Sequence, residues 1–126
     1  MILAVGRLRA PFADDVAHYE KLLSRYARVE IREVTEPRPP ERAHLVALDS
    51  GGRALASEAL ATWLEQRRQS GRDLCFVIGG PEGIAVDADE TLSFGPLTLP
   101  FQLARVVLLE QLYRAHKILA GEPYHR

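Results

Sequence analysis

Apolar positions recur along this chain with two different periods. Ile2 to Val5 is a short apolar run closed by Gly6, and Val29-Glu30-Ile31-Arg32-Glu33-Val34 alternates apolar with charged residues. The first reads as a strand, the second as a half-exposed strand near a sheet edge. Between them, Asp14 to Tyr26 places Val16, Tyr19, Leu22 and Leu23 on one helical face, with Asp14-Asp15 as its expected cap. His44 to Leu48 predicts a further strand ending at Asp49-Ser50-Gly51-Gly52. Ser57-Glu58 then opens a helix with Leu60, Trp63 and Leu64 inward, and Gly71 stops it.

Leu74 to Ile78 is a continuous apolar run, the pattern of a strand buried on both faces at the centre of a parallel sheet. Thr91 to Phe94 is a shorter strand candidate. The longest helix is predicted from Phe101 to Ala120, with Thr98 as N-cap. Its succession Val106-Val107-Leu108-Leu109 covers every side, so one side faces the sheet and the other needs a second surface, most simply another copy of the chain. Strands and helices in this order define an α/β fold in a single domain, residues 1–126, with no internal repeat. Thr35 to Arg42, with three prolines, is the one linker-like stretch.

Composition narrows the setting. A single cysteine, Cys75, excludes an intrachain disulfide and a cysteine-rich metal site, and its place inside an apolar strand makes it core. His18 and His44 lack metal-ligand spacing, so no metal is expected. No apolar run approaches a membrane span or a signal-peptide core, which predicts a cytoplasmic protein without a membrane partner. The formal net charge of -1 offers nucleic acid no global positive field. Residues 101–126 do carry Arg105, Arg114, Lys117 and Arg126 against Glu110 and Glu122, a local excess of +2.

Three segments carry candidate chemistry. Ile78-Gly79-Gly80-Pro81-Glu82-Gly83 has neither dinucleotide-fingerprint spacing nor a phosphate-loop lysine. Its glycines follow the central strand, where open α/β sheets bind ligands, yet they fit a plain strand-to-helix turn equally well. Gly95-Pro96-Leu97-Thr98-Leu99-Pro100 freezes backbone groups that an adenine ring can use, with apolar cover from Leu48, Ile78 and Leu97; the other reading is a rigid connector. The tail Tyr124-His125-Arg126 groups a phenol, an imidazole and a guanidinium, though by itself it reads as a solvated terminus. Arg114, on a largely buried helix, requires a partner or an anionic ligand.

The motifs Ile78-Gly79-Gly80-Pro81-Glu82-Gly83, Leu92-Ser93-Phe94, Leu97-Thr98-Leu99-Pro100, Gln102-Leu103-Ala104-Arg105-Val106, Glu110-Gln111-Leu112-Tyr113-Arg114-Ala115 and Pro123-Tyr124-His125-Arg126 occur in order over residues 76–126. In these, and in Leu3-Ala4-Val5-Gly6 and the Leu48-Asp49-x-Gly51 turn, the chain resembles the ribosomal RNA large subunit methyltransferase H family. The resemblance implies a SPOUT-type α/β knot: a mostly parallel sheet with flanking helices and a C-terminal trefoil knot. It also implies a homodimer, S-adenosyl-L-methionine as cofactor, and methylation of N3 of a pseudouridine in helix 69 of 23S rRNA on assembled ribosomes.

Carried onto this sequence, the resemblance assigns the cofactor to Leu48, Gly79, Phe94, Gly95, Pro96, Leu97, Thr98 and Leu99. Substrate handling and catalysis fall to Arg114, Tyr124, His125 and Arg126. Two departures stand out: Phe101 occupies the place of a usual histidine, and the Thr35 to Arg42 loop replaces a longer, partly helical stretch. The competing reading is a non-catalytic ribosome-binding or assembly factor on the same knotted fold.

Overall fold

The computed structural model describes residues 1–5, 12–79, 87–97 and 99–123. Its elements are β1 (Ile2–Val5), α1 (Phe12–Leu23), β2 (Ile31–Val34), β3 (His44–Ala54), α2 (Ser57–Gln69), β4 (Leu74–Ile78), β5 (Glu90–Ser93) and α3 (Phe101–Leu119). The five strands form one sheet in the order β2-β1-β4-β3-β5, with every pairing parallel. The all-apolar run is the central strand, and the alternating run is the edge strand β2.

Side chains alternate across the sheet. Ile2, Val46, Phe76, Ile78 and Leu92 share one core with Val16 and Leu23 of α1, Ala61, Trp63 and Leu64 of α2, and Leu108, Leu109 and Leu112 of α3. The other face gathers Leu3, Leu45, Cys75 and Val77, with Cys75 fully buried. Burial of several Leu, Ile and Phe side chains at ~1.5–3 kcal/mol each is what opposes the chain entropy.

α3 packs between α1 and α2. Tyr113 meets Tyr19 and Tyr26 at ring-centroid distances of 6.5 and 6.0 Å, His116 stacks on Tyr26 at 5.8 Å, and Arg105, 1% exposed, reaches Glu33 of β2 at 3.1 Å. Much of the second surface that this helix requires thus comes from the chain's own helices. Leu103, Val106 and Val107 of α3 stay half-buried, Val106 packed against the core that α3 shares with α1 and α2.

Several boundaries differ from the expectation. β3 continues past the predicted turn to Ala54, because Asp49 to Gly52 form a bulge: Leu48 and Arg53 both pair with Leu92. Gly52 is required there, since a Cβ would lie 2.8 Å from the backbone of Thr91. α1 ends at Leu23, with Asp14 and Asp15 inside its first turn, where carboxylates favour the helix dipole, rather than at a cap. α3 is preceded by Pro100 with no side-chain cap; the predicted cap Thr98 lies outside the described residues. Gly71 follows the C-cap of α2 with φ +78°, a left-handed conformation that suits glycine.

Candidate cofactor cavity at the carboxyl ends of the strands

A cavity of about 390 Å³ opens where β3, β4 and β5 end and α2 and α3 begin to cover them. Leu48, Phe76, Leu92, Phe94, Leu60 and Val107 supply apolar wall, while Arg53, Ser57, Ser93 and Gln111 bring polar groups. A mostly apolar pocket of this size with a few convergent polar groups suits a small organic ligand. The bulge in β3 makes the cavity, because it carries Arg53, Ala54 and Leu55 outward as a wall beyond Leu48.

The turn after β5 is locked from within. Gly95 donates its N–H to Ser93 Oγ at 3.0 Å, and that hydroxyl donates to Gly95 O at 2.7 Å. Gly95 has φ +117°, which L side chains rarely adopt. Phe94 is held half-open at the mouth, 37% exposed.

Of the residues assigned to the cofactor, the structure brings Leu48, Phe94 and Gly95 to the cavity wall. Gly79 follows Ile78, which lies beside Leu48 in register, so it stands at the same end of the sheet. Pro96 and Leu97 are exposed, Leu97 at 77%, and Leu99 is half-buried; none of the three lines the cavity. Thr98 lies outside the described residues, as do Tyr124, His125 and Arg126.

Arg114 does have its partner: its Nε donates to Glu110 Oε1 at 3.0 Å one helical turn back, with both side chains under one-fifth exposed. Lys117 pairs with Glu122 at 3.1 Å. These two pairs use the acidic residues already counted in the local excess of +2, and of the two remaining cations Arg105 is neutralised by Glu33 of β2 while Arg126 lies outside the described residues. Sequence reasoning missed Ser57, Ser93 and Gln111. Ser93 stands in Leu92-Ser93-Phe94, just before Gly95; Ser57 and Gln111 are 54 residues apart and give no joint signal.

The model of the SPOUT methyltransferase family matches residues 1–125. The chain belongs to that family. A SPOUT methyltransferase with an all-parallel sheet accords with the α/β class expected. Similar curated proteins, each named ribosomal RNA large subunit methyltransferase H, include one from Xanthomonas campestris pv. campestris (strain B100), 44% identical over 99% of this chain and 97% of its own length. One from Rubrobacter xylanophilus is 48% identical over 98% of this chain and 96% of its own. One from Stenotrophomonas maltophilia (strain R551-3) is 44% identical over 99% and 97%. These alignments run to 151–153 positions against 126 residues here, so the relatives carry stretches that this SPOUT chain lacks.

Among the described residues no group of three or more His, Cys, Asp or Glu is placed to hold a metal ion. No described helix is long and apolar enough to cross a membrane.

Proposed function

We propose that this protein is an S-adenosyl-L-methionine-dependent methyltransferase that modifies N3 of a pseudouridine in helix 69 of 23S rRNA, on assembled ribosomes in the cytoplasm. The observation that carries the reading is the cavity at the carboxyl ends of the strands, walled by Leu48, Phe94 and Gly95, in a SPOUT chain similar over nearly its whole length to proteins named for ribosomal RNA methylation. Its residues fit the cofactor: Leu48, Leu92 and Phe94 offer apolar cover for an adenine face, and the Gly95 backbone allows close approach.

The cofactor, when bound, supplies a methyl group activated on a sulfonium. The chain's part is positioning and proton handling. As N3 gains the methyl group it loses its proton, which His125 accepts near neutral pH; Arg114 and Arg126 hold phosphate or the uracil oxygens, and Tyr124 packs on the base. The protein acts as one domain, residues 1–126, with its C-terminal chain knotted. It works as a homodimer, whose second copy covers the half-buried apolar surface that α3 leaves at Leu103.

Calorimetric titration with S-adenosyl-L-methionine, followed by mass mapping of 23S rRNA from a strain lacking the gene, tests this. Binding together with loss of one methyl on the helix 69 pseudouridine is expected. Ribosome binding without cofactor binding would instead identify a non-catalytic assembly factor.

A further inference from the structure

A chain of hydrogen bonds leads from the wall of the cavity to Arg114. Ser57 and Gln111 both line the cavity, and Ser57 Oγ lies 2.8 Å from Gln111 Oε1. Gln111 Nε2 lies 2.9 Å from Glu110 Oε2, and Glu110 Oε1 accepts from Arg114 Nε at 3.0 Å. All four side chains are at least half-buried.

Glu110, ion-paired with Arg114, fixes the direction of every bond in the series. A carboxylate only accepts, so the Gln111 amide must turn its N–H to Glu110 and its carbonyl to Ser57. That carbonyl likewise only accepts, so the Ser57 proton points to Gln111. The hydroxyl has one proton, and it is spent. What Ser57 presents to a ligand in the cavity is therefore lone pairs, and successive bonds ending on a charge strengthen one another.

We infer that Ser57 serves the cavity as a fixed hydrogen-bond acceptor, positioned by Gln111 and Glu110, for a donor group of the bound cofactor. The same chain ties cofactor binding to the Arg114 guanidinium. The inference rests on the reading of this cavity as the S-adenosyl-L-methionine site. Two parts of that molecule carry donors: the ammonium of its amino-acid end, and the N–H and O–H groups of its nucleoside.

Calorimetry on the full chain, with thermal unfolding as a check of folding, separates the outcomes. Ser57→Ala should weaken S-adenosyl-L-methionine binding about tenfold, the loss of one hydrogen bond to a ligand donor, while Ser57→Thr, which keeps the hydroxyl, should bind within about twofold of the original. Titration with 5′-methylthioadenosine, which lacks the amino-acid end, locates the donor. A Ser57→Ala loss seen with both ligands assigns it to the nucleoside, and a loss seen only with the complete cofactor assigns it to the ammonium.

Gln111→Leu should weaken binding about threefold by letting the Ser57 proton turn, and Ser57→Ala/Gln111→Leu should be no worse than Ser57→Ala alone. Additive losses would overturn the positioning role of Gln111. Unchanged affinity of a folded Ser57→Ala protein would overturn the role of Ser57 while leaving the cofactor assignment intact. Failure of the unaltered protein to bind either ligand would overturn the assignment of the cavity itself.

Discussion

At the amino ends of β3 and β5, Glu90 accepts from Arg67 Nε at 2.7 Å, Arg67 Nη2 at 2.9 Å, Trp63 Nε1 at 3.0 Å and His44 Nε2 at 2.6 Å. A few residues further along the same two strands the ladder breaks at Leu48 and Arg53, and the cavity opens. One end of the strand pair is clamped by a saturated carboxylate; the other is bulged and floored by glycine. The contrast separates two tasks. The amino end of this strand pair is tied by charge and hydrogen bonds, and the carboxyl end is shaped by the bulge around the cavity.

Removing the clamp should separate the two ends most clearly. Glu90→Ala leaves Arg67 and the Trp63 N–H without their acceptor and should cost about 3 kcal/mol, lowering the midpoint of thermal unfolding by roughly 10 °C. Cofactor affinity, measured by calorimetry below the new midpoint, should be unchanged; a loss of affinity equal to the loss of stability would erase the distinction between the ends.

The clamp also predicts a pH dependence. Arg67 above all, then Trp63 and His44, hold the Glu90 carboxyl down to about 2 from an ordinary 4.5. A depressed carboxylate contributes stability that is whole above pH 4.5 and is lost as pH falls from there toward about 2. Denaturant unfolding should show a loss of roughly 3 kcal/mol over that window, largely absent in Glu90→Gln.

At the other end, Gly52→Ala should disturb both properties, because its Cβ would sit 2.7 Å from Thr91 Cγ2 and 2.8 Å from the Thr91 backbone. A stability loss of about 2 kcal/mol is expected, with weaker cofactor binding as β5 is pushed away. Gly95→Ala meets no atom within 4 Å and suffers only the backbone conformation, φ +117°. It should cost about 1 kcal/mol and act chiefly on affinity, a split that calorimetry and thermal unfolding together resolve.

The smallest effect belongs to His116, whose burial against Tyr26 pushes its pKa below the usual 6.5. Stability from a histidine buried neutral is complete above its unfolded value and declines as pH drops below 6.5 toward the folded one. His116→Phe should remove that slope below pH 6.5, which denaturant unfolding followed across pH checks.

How far the sequence discloses these features follows from how local their causes are. β4 is legible because Leu74 to Ile78 are all apolar and only burial on both faces accommodates them. The second half of β3 is hidden because Asp49-Ser50-Gly51-Gly52 has the composition of a turn, and only the partner strand reveals a bulge. The clamp is invisible in sequence, its members lying 23, 27 and 46 residues from Glu90. The assigned cofactor residues are legible through family resemblance alone, whereas the polar wall of the cavity, Ser57 and Gln111, exists only where α2 and α3 lie side by side.

In the proposed function the open end of the sheet delivers a methyl group to ribosomal RNA. Incubating purified ribosomes that lack the modification with the protein and methyl-labelled S-adenosyl-L-methionine, then mapping the label by mass spectrometry, tests it directly. One labelled methyl on the pseudouridine of helix 69 in 23S rRNA is expected. Cofactor binding with no label transferred to that nucleotide would contradict it.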